Sequence, residues 1–287
     1  MKKSYSFITI SIFTFMLLVS GCGSQLEYPS INNSGTKSYN YGQVVWRDLV
    51  TPDPKLAADF YKKVFGWTSI QVGTEDQQYW IFKNNGKPVG GMFLMSDKKK
   101  DVGGEWIQYY SVNSVEDIAN KCKTDGGTIA IKPFEMPGRG NVALISDPQK
   151  ALFAVIKSSN GDPSTQTIPD NEFLWSELWS NDTDNSESFY KKIFNSTIVN
   201  KKDDERSYIV LENNGKPSSG IIKNPAEKIK TNWVQYIRVS NVSSVEQKAK
   251  DAGGRIIIPS DSSIRNGTVC VIVDPTGAPF AIQKWDK

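Results

Sequence analysis

Histidine is absent from all 287 residues of this chain. That removes the commonest metal ligand and the side chain that ordinarily handles protons near neutral pH. Serine–histidine and cysteine–histidine nucleophile pairs are excluded with it. Cysteine is scarce. Only Cys22, Cys122 and Cys270 occur, no CxxC spacing exists, and thiolate-rich metal sites are therefore excluded. Cys122 falls in a predicted helix and Cys270 in a predicted strand, so both are expected to be free and buried. No nucleophile elbow, phosphate-binding loop or dinucleotide glycine motif is present. Long apolar runs are missing too. The stretch from Phe7 to Ser20 spans 14 residues, whereas a membrane-crossing helix needs about 20. Charge is balanced at a formal +3, with 34 basic and 31 acidic residues and no basic stripe, which argues against nucleic acid as a partner. The run Lys98-Lys99-Lys100-Asp101 reads as a solvated loop.

What is present begins with an export pattern. Met1-Lys2-Lys3 is a basic start and Phe7–Ser20 an apolar core. The sequence Leu18-Val19-Ser20-Gly21-Cys22 resembles the bacterial lipobox, in which the cysteine receives lipid. Residues 1–21 are thus expected to be a lipoprotein signal peptide. Cys22 would carry the acyl chains, palmitate among them, and hold the protein to a membrane of the cell envelope on the exported side. Removing Lys2 and Lys3 lowers the formal charge to +1. Residues 22–42, rich in Ser, Asn, Gly and Tyr, read as a flexible tether.

The rest of the chain says the same thing twice. Val44–Lys157 contains WRDLVTPDPKLAADFYKKVFGW, KNNGKPVGG, WIQYYSV and DPQKALFAVIK. Phe173–Lys284 contains WSELWSNDTDNSESFYKKIFNS, ENNGKPSSG, WVQYIRV and DPTGAPFAIQK. Trp46 matches Trp175, Phe60 matches Phe189 and Tyr61 matches Tyr190. Trp106, Tyr109 and Asp147 match Trp233, Tyr236 and Asp274. A repeat of this length is a domain. The predicted divisions are 43–158 and 172–286, joined by a polar linker over 159–171.

In the first repeat, Val44–Thr51 alternates as a strand. Asp53-Pro54 opens a helix, with Asp53 as N-cap, and Leu56, Ala57, Phe60, Tyr61, Val64 and Phe65 recur at helical spacing up to Gly66. Asn85-Gly86 marks a hairpin between Tyr79–Lys83 and Val89–Leu94. Trp106–Val112 is a strand and Ser114–Lys123 a helix. Strands follow at Thr128–Ile131, Asn141–Ser146 and Leu152–Lys157.

These motifs, in this order and doubled, resemble the vicinal oxygen chelate superfamily of glyoxalase I, bleomycin-resistance proteins and extradiol dioxygenases. The similarity is greatest to a two-domain, glyoxalase-like branch that includes a secreted antigen. The resemblance implies an α+β fold of two tandem domains. Each would hold two βαβββ units in a curved mixed sheet, with helices outside and a cleft inside. Family enzymes place a divalent metal in that cleft. Carried over residue by residue, the ligand positions hold Trp46 and Trp175 on the first strand and Ala154 and Ala281 on the last. Ile107 and Val234 stand at the fifth-strand positions, and Gly91–Met92 and Gly220–Ile221 at the fourth. None of these side chains donates oxygen to a cation, so the expectation is no metal and no other cofactor.

Strand alternation places Trp46, Asp48 and Tyr109 on the cleft face of the first domain. It places Trp175, Glu177, Trp179, Tyr236 and Arg238 on that of the second. Such a floor suits a small apolar or aromatic ligand. Asp48 and Glu177 are candidate general bases, or members of ion pairs, with Arg238 as the partner of Glu177. The leading expectation is an envelope-anchored binding protein. A family enzyme with a non-standard or metal-free site is the alternative, and a structural or protein-interaction role the second alternative.

Overall fold

The computed structural model describes residues 26–32, 35–73, 78–95, 103–164, 168–203, 206–225, 229–261 and 265–285. The expected signal peptide, Cys22 and the run Lys98–Asp101, expected as a solvated loop, lie outside them.

The first domain opens with β1 (Val44–Thr51), α1 (Pro54–Phe65), β2 (Thr68–Val72), β3 (Tyr79–Asn84) and β4 (Lys87–Leu94). It continues with β5 (Glu105–Ser111), α2 (Val115–Thr124), β6 (Thr128–Met136), β7 (Gly140–Ser146) and β8 (Leu152–Ser158). The second domain repeats the order. Its first half is β9 (Phe173–Ser180), α3 (Thr183–Phe194), β10 (Thr197–Asp203), β11 (Arg206–Asn213) and β12 (Lys216–Lys223). Its second half is β13 (Asn232–Arg238), α4 (Val242–Asp251), β14 (Arg255–Ile258), β15 (Val269–Val273) and β16 (Pro279–Gln283). Each domain is one eight-stranded mixed sheet, in the orders β2-β3-β4-β1-β5-β8-β7-β6 and β10-β11-β12-β9-β13-β16-β15-β14. Two βαβββ units meet edge to edge through the antiparallel pairs β1–β5 and β9–β13. The α+β fold of paired units is the one the resemblance implied.

Local chemistry sets the elements. Asp53 and Asp182 cap α1 and α3 by accepting from Leu56 and Asn185 amides, and Ser114 and Asn241 do the same for α2 and α4. The hairpin residues Asn85-Gly86 and Asn214-Gly215 all take positive φ, as a tight two-residue turn requires. β2 has no counterpart in the sequence reading. Four of its five side chains are exposed, so no apolar alternation marks it.

The helices lie on the face of each sheet away from its cleft, and these backs pack together. One core joins Phe60, Tyr61, Trp67 and Trp106 of the first domain to Phe173, Val245, Ile272 and Phe280 of the second. The other joins Tyr110, Cys122 and Phe153 to Phe189, Tyr190 and Trp233. The repeated Asp-Pro turns are bolts across this seam. Tyr61 Oη donates to Asp274 and accepts from Trp106, and Tyr190 Oη donates to Asp147 and accepts from Trp233. At the centre Arg47 donates to Ser176 and Gln235 and lies 4.9 Å over the Phe173 ring. Burial pulls its guanidinium down to about 9. Cys122 and Cys270 are buried and unpaired.

Residues 26–32 and 35–42 differ from the flexible tether expected of them. Ile31 is buried in a cluster with Trp46, Tyr109 and Met136, and Tyr28 packs against the same cluster. Asn32 donates to the Asn160 carbonyl, and Asp162 accepts from the Asn40 amide and from Ser111. Two apolar anchors in a polar stretch are enough to fix it, although averaged composition hides them.

Candidate functional site

β1 and β5 supply the floor of the first cleft. Trp46 and Asp48 alternate on β1, and Tyr109 faces Trp46 across the antiparallel pair. Strand β3 adds Tyr79, and the β6–β7 turn adds Arg139. Around Asp48 these groups close into one cluster. Oδ1 accepts from Trp46 Nε1 at 2.8 Å and from Tyr79 Oη at 2.6 Å. Oδ2 pairs with Arg139 Nη1 at 3.2 Å, and the Tyr109 phenol lies in the field of the same carboxylate. Arg139 Nη2 donates to Tyr79 Oη at 2.8 Å, and its guanidinium stands 4.7 Å over the Tyr79 ring and 5.3 Å over Trp46. Arg139 is 0 % and Asp48 1 % exposed.

The second cleft repeats the theme with different wiring. Glu177 Oε1 accepts from Tyr236 Oη at 2.5 Å and from Trp179 Nε1 at 3.1 Å. Its Oε2 pairs with Arg265 Nη2 at 2.9 Å. Trp175 donates its indole N–H to Tyr208 Oη at 2.7 Å. Trp175 and Tyr208 are half-buried, while Glu177, Trp179 and Tyr236 are buried.

The electrostatics favour fixed protonation states. Burial, then the neighbouring carboxylates, push the phenols of Tyr79, Tyr109 and Tyr236 well above the ordinary tyrosine range, so they stay neutral donors. Burial works against the charge of Arg139, but Tyr79 and Asp48 outweigh it and hold the guanidinium protonated beyond its usual value. Glu177 and Tyr236 do the same for Arg265. Each carboxylate accepts from an indole N–H, a phenol and a guanidinium at once.

Trp46, Asp48, Tyr109, Trp175, Glu177, Trp179 and Tyr236 thus come together on the two cleft faces. Arg238 does not. Its Nε pairs with Asp170 at 3.3 Å and its Nη1 donates to the Ile168 carbonyl at 2.7 Å. Residues 168–172 run beside the end of β13 with a carboxylate of their own, and Arg238, the last residue of the strand, takes its partners from them. Arg265 is the partner of Glu177 instead. Sequence reasoning missed Tyr79, Tyr208, Arg139 and Arg265. The tyrosines were visible as an identical pair at the repeat offset of Trp46 and Trp175. The arginines were not, because they sit one residue out of register with each other.

The residues at the family's metal positions fit poorly to a cation. Ala154, Ala281, Ile107 and Val234 are buried and carry no donor. At the fourth-strand position the reason for glycine is steric. A Cβ on Gly91 would lie 1.6 Å from Tyr79 Oη, and one on Gly220 would lie 2.3 Å from Tyr208 Oη. The phenol occupies the space a side chain there would need. Among the described residues no three His, Cys, Asp or Glu side chains converge as a metal site.

Comparison with known proteins follows the same outline. A family model described as Glyoxalase/Bleomycin resistance protein/Dioxygenase superfamily matches residues 42–155 and again 173–282. A Mycobacterium bovis protein named "Putative glyoxylase CFP32" is 25% identical over 255 residues, covering 86% of this chain and 96% of that one. A Streptomyces protein named "Anthracycline biosynthesis protein DauV" is 23% identical over 255 residues, covering 84% and 92%. Among solved structures, the Mn(II)-bound glyoxalase from Novosphingobium aromaticivorans superposes with a TM-score of 0.57 at 14% identity, covering 85% of this chain and 82% of its own. The 2,3-dioxygenase LapB from Pseudomonas sp. KL28 gives 0.56 at 15% identity, covering 87% and 94%. At these identities the structural likeness speaks for the fold.

Proposed function

We propose that this chain, which belongs to the Glyoxalase/Bleomycin resistance protein/Dioxygenase superfamily, is a lipid-anchored envelope protein that binds a small apolar or aromatic molecule without a metal. The observation that carries the reading is the replacement of metal ligands by a Trp–carboxylate–Tyr–Arg cluster in both clefts. Such a cluster is a rigid, neutral, ring-lined floor. Aromatic contacts on it contribute about 0.5–1.5 kcal/mol each beyond buried area. A few of them, with one hydrogen bond, suffice for micromolar binding of a small ring system.

The test is a thermal-shift screen of the full chain against small aromatic and apolar metabolites, followed by tryptophan-fluorescence titration of each stabilising compound. A ligand should lose affinity in Trp175→Ala or Trp46→Ala. Equal binding to both variants would move the site away from the clefts. One metal per domain after purification in metal-free buffers would overturn the metal-independent reading. The anchor rests on the Leu18–Cys22 pattern. Cys22→Ser should release the protein from the membrane fraction, and retention through the mature part would refute the anchor. The enzymatic alternative draws its support from the relatives named for glyoxylase function and for anthracycline biosynthesis. Turnover of a ligand found in the screen would favour it.

A further inference from the structure

We infer that the first domain is held with its covered cleft toward the lipid surface, because the docked Tyr28 and Ile31 leave only a short leash to Cys22. This rests on the lipid-anchor reading above and adds to it a membrane-facing surface, the cleft rim at the β6–β7 turn.

The leading segment lies in a fitted bed. The Tyr28 ring meets Tyr79 edge-on at 5.5 Å, lies 6.0 Å from Phe93 and has the Arg139 guanidinium 5.8 Å from its centroid. Its amide donates to the Pro137 carbonyl at 2.7 Å, and Arg139 Nε donates to the Pro29 carbonyl at 3.2 Å. Ile31 is buried in the cluster of Trp46, Tyr109 and Met136. The wall makes room for the passing backbone. A Cβ on Gly138 would lie 2.4 Å from the Tyr28 carbonyl oxygen, and one on Gly161 would lie 2.7 Å from the Ser38 amide nitrogen. Buried Asp162 holds the other end of the segment. It accepts from the Asn40 amide at 2.6 Å and from Ser158 Oγ at 2.8 Å, and its own amide donates to the Ser38 carbonyl at 2.7 Å.

Chain length then sets the reach. Tyr28 stands six positions after Cys22. Whatever path they take, six residues span at most about 20 Å. Undocked, the chain from Cys22 to Gln43 would reach about 70 Å. A globule of this size is about 45 Å across. The long leash lets the body turn any face to the bilayer, and the short one does not. Glu27 and Tyr28 both pass the β6–β7 turn at Gly138, which puts that turn at the root of the leash. The two sheets pack back to back, so the cleft of the second domain faces away from the bilayer.

The experiment uses the full chain purified from the membrane fraction. It is inserted into preformed vesicles of phosphatidylethanolamine and phosphatidylglycerol that carry a rhodamine-headgroup lipid as energy acceptor. A donor dye is placed on Glu135→Cys, beside the turn, or on Pro259→Cys, at the edge of the second sheet. Both positions are exposed, whereas Cys122 and Cys270 are buried. Transfer from position 135 should exceed transfer from position 259 at least about twofold. Two changes should bring the values together. Tyr28→Ala with Ile31→Ala undocks the segment, and a spacer of about 40 Gly and Ser residues after Gly23 lengthens the leash while leaving the docked residues intact. Should the paired alanines unfold the first domain, the spacer decides alone. Equal transfer in the unaltered chain, more transfer from position 259, or a difference that survives the spacer overturns the inference. If Cys22→Ser leaves the membrane fraction and transfer is still equal, the anchor stands and only the orientation falls. If Cys22→Ser remains in the membrane fraction, both fall.

Discussion

The two clefts grew from one repeated sequence, yet among the described residues one is sealed and the other is more exposed. In the first, Arg139 has no exposed surface and spends its nitrogens on Asp48, Tyr79 and the Pro29 carbonyl. In the second, Arg265 pairs with Glu177 but reaches solvent, and Trp175 turns its indole N–H to Tyr208 rather than to the carboxylate. Trp179, where the first domain has Val50, takes over that donation to Glu177. A duplicated fold keeps the carboxylate supplied with donors in both copies. The identity of the donors and the covering segment are free to drift. That freedom lets one copy be covered by the leading segment while, among the described residues, the other keeps Trp175 and Tyr208 half-buried.

Breaking each ion pair gives the largest contrast. Asp48→Ala leaves a wholly buried guanidinium without its counter-ion and should cost about 3–5 kcal/mol. Glu177→Ala leaves a cation that water can reach and should cost about 2 kcal/mol. Chemical denaturation of the full chain measures both. Equal losses would mean that the clefts are equally sealed.

A smaller effect sharpens the comparison from the other side. Tyr28→Ala removes a half-buried ring from Tyr79, Phe93 and Arg139 and should cost about 1–2 kcal/mol. It should also make Trp46 more open to acrylamide quenching, so that the first cleft comes to resemble the second. Unchanged quenching would show that Tyr28 is not what covers Trp46.

Much of this was legible in the chain. Helical periodicity, the Asp53-Pro54 start and the Asn85-Gly86 hairpin locate their elements because each signal is local and depends on a few adjacent residues. Alternation on β1 and β5 likewise puts the tryptophans and acids on the cleft side. It does not foresee the partner of Arg238, which the nearby Asp170 becomes. The edge strand β2 escapes notice because neither of its faces is consistently apolar.

The sequence by itself determined that there are two like domains and that their cleft-facing strands carry Trp, Tyr and a carboxylate. Repeats and alternation record such facts along the chain. Only the tertiary structure decided which arginine meets which acid, that the Asp-Pro aspartates bind the tyrosine of the opposite domain, and that Tyr28 and Pro29 close the first cleft. Asp147 meets Tyr190, Arg139 meets Asp48 and Tyr28 meets Tyr79 across 43, 91 and 51 positions of sequence. No local pattern encodes pairings at such separations. They follow from how the two sheets and the leading segment pack, where burial makes each polar group find whichever partner lies within reach.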